Sequence, residues 1–256
     1  MDRLLRRATF DQAAELYDRA RPAYPDELFD DLVELAGLRP RARIVEIGPG
    51  TGKATLSLAG RGLRVTGVEL GSSLAAVAQR RLALFPGVQI VNAEFETWRP
   101  ERADYDAVVA FTAFHWIPPG LRYTTSAAVL REGGALAASM IHHVLPEDAD
   151  PFFAASQADY DAVGEGGSPP GPPEAVEGFA EEIDASGLFR VVGERRYQWD
   201  VVYTPDEYID VLSTFSPNIA MEVTKRTRLF ELLRARLGDR SLRKTYLATL
   251  DVALRV

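Results

Sequence analysis

From Arg43 onward the chain alternates between apolar runs of strand length and segments of helix length, and this alternation constrains the fold most. The strand-like runs are 44–47, 65–70, 88–91, 105–110 and 135–141, with helix-like segments at 54–59, 73–84 and 121–131. Runs that are apolar throughout need cover on both faces, which helices packed on either side of a parallel sheet supply. The expected class is therefore α/β, a doubly wound, mostly parallel sheet. Residues 97–102, between the third and fourth runs, are polar apart from Trp98 and carry only a weak helix signal.

The first strand-like run ends in Glu46-Ile47-Gly48-Pro49-Gly50-Thr51-Gly52, a turn with glycine at every second position, followed by a helix-compatible segment from Lys53. Glycines here let the backbone pass close under a ligand, and the free N–H groups of the following helix start point at it. Two ligands fit such a turn. The dinucleotide fingerprint wants a third glycine where Lys53 stands. The pattern E-x-G-x-G-x-G is satisfied at every position by Glu46, Gly48, Gly50 and Gly52. Glu69, at the end of the second run, suits the two hydroxyls of a ribose in either case.

Charge and composition narrow the partners. The net charge of -8 argues against nucleic acid and anionic membranes, since phosphate contacts need clustered Lys and Arg. With no cysteine, a disulfide framework, a thiolate nucleophile and a cysteine metal site are excluded. No apolar run approaches the roughly 20 residues that span a bilayer, and the start of the chain lacks the apolar core of a signal peptide. A cytoplasmic protein, monomer or homodimer, is expected, with a small-molecule partner and no metal.

Outside the alternating region, residues 9–20 read as a helix with Thr9 and Gln12 in capping-box spacing, stopped at Arg21-Pro22. A second helix restarts at Pro25 and closes near Gly37. Beyond the fifth strand, helices are expected over 150–163, 174–185, 205–214 and 218–237, and strands over 189–203 and 245–256. The Gly/Pro-rich stretch 164–173 reads as a surface loop or lid edge.

Several motifs together resemble the class I S-adenosylmethionine-dependent methyltransferases, whose motif I is the E-x-G-x-G-x-G turn. Asn92-Ala93-Glu94-Phe95-Glu96-Thr97-Trp98 resembles the adenine-binding segment, with Glu94 at the acid position, or Asn92 if the register is shifted by two. Arg131-Glu132-Gly133-Gly134 resembles the turn before strand five, with Glu132 at the usual proline. Phe114-His115-Trp116, Tyr17-Asp18-Arg19-Ala20-Arg21-Pro22 and Thr204-Pro205-Asp206-Glu207-Tyr208 are similar to a small-molecule branch laid out like trans-aconitate methyltransferases. The likeness covers nearly the whole chain. It implies a Rossmann-like, seven-stranded sheet with a final antiparallel strand and a helical lid. A single domain over 1–256 is implied, with cofactor-covering helices in 1–40 and the cofactor-binding sheet in 43–142. Lid segments would fall in 146–187 and 204–240, and the final strand pair in 188–203 and 241–256.

The resemblance implies S-adenosyl-L-methionine as cofactor and S-adenosyl-L-homocysteine as product. It implies methyl transfer to an oxygen or nitrogen of a small acceptor, with a natural-product intermediate suggested by the aromatic lid segments. The other readings are an NAD-dependent oxidoreductase and a cofactor-binding protein without methyl transfer. The implied cofactor residues are Tyr17, Arg21, Glu46, Gly48, Pro49, Gly50, Gly52, Glu69, Leu70, Glu94, Phe95, Phe111, Thr112, Ala113 and His115. Tyr17 and Arg21 fall to the methionine end, where an arginine matches a carboxylate bidentately. His115 lies past a strand's C-terminal end, so it can serve as a general base or as a wall of the cofactor pocket. Trp116, His142, His143 and Thr214 are the acceptor-side candidates, with the two histidines on opposite sides if the strand continues.

Overall fold

In the computed structural model, which describes residues 14–256, the expected apolar runs become strands. These are β1 (Arg43–Ile47), β2 (Arg64–Glu69), β3 (Val88–Asn92), β4 (Tyr105–Phe111) and β5 (Leu130–His143), then β6 (Phe189–Tyr203) and β7 (Leu242–Arg255). The sheet order is β3-β2-β1-β4-β5-β7-β6, parallel from β3 to β5, with β7 antiparallel to both its neighbours. The seven-stranded, mostly parallel sheet with a final antiparallel strand is thus observed. Strand order reverses between β1 and β4, which opens a crevice at their C-terminal ends.

The apolar strands earn their composition by burial on two faces. Val108 and Ala110 of β4 pack into one core, with Phe114, Leu136 and Ile183. Ala107, Val109 and Phe111 turn the other way, against Leu28, Phe29, Leu32 and Leu58. Burying such a side chain fully is worth roughly 1.5–3 kcal/mol. A third cluster, of Phe152, Tyr208, Leu229, Leu233 and Tyr246, lies under the lid.

Helix α1 (Ala14–Ala20) is the described part of the first expected helix; Thr9 and Gln12 lie outside the described residues. It packs against the helices Ser72–Arg81 and Pro205–Ser213, and so bridges the parallel sheet and the segments after β6. Helix α2 (Asp26–Leu35), α3 (Lys53–Gly60), α4 (Ser72–Arg81) and α5 (Pro119–Val129) cover the parallel strands.

Beyond β5 the expected long helices are shorter. Residues 150–163 hold α6 (Phe152–Ala155) and α7 (Gln157–Ala162). The helix expected over 174–185 is only α8 (Ala180–Ala185). Its first half is lost because the Phe179 amide donates to buried Asp251 at 2.7 Å. Gly178 sits so close that a Cβ there would lie 2.4 Å from the same carboxylate. After α9 (Pro205–Ser213), with its Thr204/Glu207 capping box, the helix expected over 218–237 is broken into α10 (Ser216–Ala220) and α11 (Val223–Leu237). Glu222 causes the break: its carboxylate accepts from the Thr224 and Lys225 amides and starts a new helix.

Candidate functional site

The crevice is built by β1, β2 and β4 where they end. Gly48 has φ +60°, and a Cβ there would lie 2.9 Å from that of Ala113, so only glycine lets the turn approach the β4 exit. A Cβ on Gly50 would meet nothing nearer than Tyr17 Cε1 at 4.0 Å, so that face of the turn opens onto free space. The Gly50 amide donates to Glu69 Oε2 at 2.9 Å, and the Gly71 amide to Oε1 at 2.8 Å. Both oxygens of Glu69 are thus oriented by backbone amides at the edge of the crevice. Asn92, the shifted-register alternative in the adenine segment, spends its amide on the Glu69 and Leu70 carbonyls, at 2.9 Å each.

Glu46 is 1% exposed and accepts from Thr55 Oγ1 at 2.6 Å. Burial pushes its carboxyl up to about 8; the Thr55 hydroxyl opposes this and the charge of Glu69 adds to it. At neutral pH the group is mostly protonated. At the β4 exit Thr112 adopts φ +53°, a costly conformation for a β-branched residue. Its hydroxyl is held there by Tyr24 at 2.5 Å and by the Ile141 amide at 3.2 Å.

These elements enclose a cavity of about 250 Å³. It is lined by Tyr17, Arg21, Gly48, Gly50, Glu69, Leu70, Phe95, Phe111, Thr112, Ala113, His115 and Trp116 of the expected set, with Ile117, Met140, Ile141 and Phe215 beside them. A smaller cavity of about 90 Å³ shares Tyr17, Arg21, Gly48, Gly50 and Phe215 as walls and adds Glu46, Pro49, Lys53 and His143. A larger one, about 920 Å³, lies at the opposite end of the sheet, among Arg43, Arg64, Val65, Val88 and Tyr105. We assign the site to the smaller pair. They sit at the carboxyl ends of the strands, at the reversal of strand order, where open α/β sheets bind ligands.

Four expected site residues lie off these walls. Gly52 caps α3 at φ +82° and packs against α4, where a Cβ would meet Leu82 Cδ1 at 2.9 Å. Glu94 lines neither cavity; its carbonyl accepts from the Trp98 amide, and the wall there is Phe95. Thr214 is fully buried rather than facing an acceptor. Its hydroxyl accepts from Arg21 Nε at 2.8 Å and donates to the Val211 carbonyl at 2.6 Å. His142 ends up on the other face of the sheet from His143, because β5 continues through both and alternates. His142 is held below the usual imidazole range by burial and the charge of Arg196.

Arg21 is the pivot between crevice and lid. Its Nη2 donates to the Thr214 carbonyl at 2.9 Å, and its guanidinium stands 4.0 Å from the Phe215 ring centre and 5.1 Å from that of Tyr17. Its carbonyl receives Lys53 Nζ at the start of α3. His115 sits in a 3-10 turn, Phe114–Trp116, its ring 4.7 Å from that of Trp116. Residues the sequence reading passed over include Tyr24, Ile141, Tyr246 and Lys244. A lysine beside an otherwise apolar strand was the available signal for the last, but the strand was expected to start one residue later.

A family model described as a methyltransferase domain matches residues 44–134, from the glycine turn through α5. An uncharacterized methyltransferase of Mycobacterium tuberculosis is 27% identical over 230 residues, 90% of this chain and 86% of that protein. A solved structure from Anaeromyxobacter dehalogenans, assigned as a type II methyltransferase, superposes with a TM-score of 0.62 at 23% identity, over 91% of this chain and 97% of its own. A Haemonchus contortus phosphoethanolamine N-methyltransferase, solved with phosphomonomethylethanolamine and S-adenosylhomocysteine, reaches 0.53 at 16% identity, over 96% of this chain and 57% of its own.

Proposed function

The chain belongs to the class I S-adenosylmethionine-dependent methyltransferases, and on that premise we propose that it methylates an oxygen or nitrogen of a small organic molecule. The observation that carries this is the double cavity at the strand-order reversal, with a backbone-fixed carboxylate on one side and a cation on the other. The donor set fits the cofactor. Glu69, oriented by two backbone amides, lines the cavity as the carboxylate for the ribose, and Phe95 supplies an apolar wall for the adenine. Arg21 and Glu46 both line the smaller cavity, where a methionyl carboxylate meets a cation and its ammonium a carboxyl that ionises on binding. The free space over Gly50 is where the chain of the ligand passes.

The cofactor, when bound, supplies an activated methyl group on a sulfonium, so the hard chemistry is not the protein's. The protein's share is to orient the acceptor and exclude water, which is worth about 7–11 kcal/mol in well-aligned cases. Tyr17, Phe111, Trp116 and Phe215 are the aromatic walls of the cavity. His115 forms part of the same wall and takes the proton where the acceptor is a hydroxyl or protonated amine. Residence in the cytoplasm is part of the proposal; among the described residues no helix is long and apolar enough to cross a membrane.

The test has two stages. S-adenosylhomocysteine is expected to raise the melting temperature of the protein, while NAD does not. S-adenosylmethionine labelled in its methyl group is then incubated with a panel of small alcohols, phenols, amines and acids, and label is expected in at least one. Stabilisation by NAD alone would overturn the cofactor assignment. Cofactor binding without label transfer to any acceptor would favour a binding protein.

A further inference from the structure

Strand β7 carries a charge where the packing calls for an apolar residue. Lys244 is 2% exposed within the cluster under the lid. Its Nζ lies 5.2 Å from the ring centres of Phe215 and Tyr246 and 5.8 Å from that of Tyr208. Among the described residues it has no carboxylate partner. Burial and the nearby charge of Arg21 bring its ammonium down to about 7. Burying an unpaired cation costs more than contacts with ring faces return. An apolar side chain would fill the same space at no such cost, so the charge calls for another explanation.

The cavity beside it supplies one. Lys244 and His143 line a space of about 310 Å³, separate from the two cavities at the glycine turn, with Phe153, Tyr160, Tyr208 and Phe215 as aromatic walls. His143 Nε2 is buried with no hydrogen-bond partner among the described residues. Burial, with the charge of Lys244, pushes that imidazole down to about 2, so it is neutral and able to share a hydrogen bond with a ligand. The acid on the same wall, Glu165, is already paired with Lys225 at 3.1 Å. Nearby Asp159 is paired with Arg236 at 2.5 Å. His143 and Phe215 belong also to the smaller cavity at the glycine turn, so the two spaces share a wall. Arg21 is bonded to Thr214 and does not line this space, which leaves Lys244 as its lining cation among the described residues.

We propose that this cavity is the acceptor subsite and that it takes a small acid with an aromatic or similarly apolar body, its carboxylate paired with Lys244. One negative charge matches the one ammonium, and the ring-lined walls take the rest of the molecule. The proposal rests on the methyltransferase reading, because it names the class of acceptor for that reaction. Lys244 is a binding residue in it.

The test begins with calorimetry of S-adenosylhomocysteine on the wild-type protein and on Lys244→Met, which keeps the side chain's bulk and removes its charge. Both should bind the product, and Lys244→Met should melt at or above the wild-type temperature. Matched acids and primary amides (cinnamate with cinnamamide, 1-naphthoate with 1-naphthamide, hydrocinnamate with its amide) are then titrated into the product-saturated proteins by ligand-observed NMR. At least one acid is expected to bind the wild type tenfold or more tightly than its amide, with that preference gone in Lys244→Met. Should Lys244→Met not fold by circular dichroism, Lys244→Gln takes its place. Equal binding of acids and amides, no acid binding, or a preference that survives the substitution overturns the proposal. Failure of S-adenosylhomocysteine to bind the wild type instead overturns the methyltransferase site, and the acid–amide comparison is then read on the ligand-free protein.

Discussion

Replacing Glu46 by Gln should make the protein more stable, and more so the higher the pH. The carboxyl is 1% exposed, accepts from Thr55, and titrates at about 8 in place of 4.5. Below 4.5 it is neutral in both folded and unfolded chains and costs nothing. Between 4.5 and about 8 the unfolded chain has lost the proton that the folded chain keeps, so stability falls as pH rises. Above about 8 both forms are charged and the penalty is complete. A gap of about 3.5 pH units corresponds to about 4–5 kcal/mol in all, or about 1.4 kcal/mol per pH unit within the window.

Glutamine keeps the shape and an acceptor for Thr55 but never ionises. Urea unfolding of both proteins at pH 5.5 and pH 8 should therefore show the variant gaining on the order of 3 kcal/mol on the wild type across that interval. Taking the difference removes groups common to both. Lys244 works in the opposite direction, since a lysine at about 7 gives stability that rises between about 7 and 10.5. An advantage that changes by less than about 1 kcal/mol over the interval would refute the claim that burial governs Glu46. A second readout joins this to function. If the methionyl ammonium sits beside Glu46, binding of S-adenosylhomocysteine at pH 7 expels the proton. Calorimetry in two buffers of different ionisation enthalpy would then show proton release for the wild type and none for Glu46→Gln.

Two other substitutions probe the walls. Thr112→Val keeps the shape at φ +53° but leaves the Tyr24 hydroxyl and the Ile141 amide without their shared partner, and should cost about 1–3 kcal/mol in urea unfolding. Thr214→Val removes the acceptor of Arg21 Nε, and should weaken S-adenosylhomocysteine binding about tenfold by calorimetry, with a smaller loss in its effect on adenosine, which lacks the methionyl end.

The parallel half of the sheet was legible because its code is local. Apolar runs with short links specify β1 to β5, and the Glu46 to Gly52 spacing marks the turn without reference to anything far away. The lid was not legible to the same degree, because distant residues decide it. The helix expected over 174–185 fails at Phe179 owing to Asp251, which is 72 residues away in sequence. The same holds in the site. Arg21 and Thr214 were both singled out, but nothing in their neighbouring residues says that one anchors the other across 193 positions. Asn92 and Glu94 each offered an amide or acid beside β3, and only the folded chain shows Asn92 turned back onto the end of β2. Lys244 escaped because its meaning lies in the rings of Tyr208 and Phe215, which α9 and the turn after it bring to β7.

The division between local and distant determination follows the division of chemical labour. The donor's half of the site is made by strand ends that pair in register, β1 with β2 and β4, so its geometry is set by the sheet itself. The cavity proposed for the acceptor is made by β7, the short helices after β5 and the turn after α9, which come together through packing of residues distant in sequence. Arg21 joins the halves, because its backbone carbonyl receives Lys53 from the donor side while its guanidinium is held by Thr214 on the lid side. A substitution in the lid that moves Thr214 therefore also moves a cation that lines the methionine end with Lys53 and Glu46, whereas Lys244 and Phe153 line the proposed acceptor cavity and neither of the other two. Acceptor preference can change at those last positions without disturbing the donor, which is the freedom a fold needs to serve many acceptors with one methyl source.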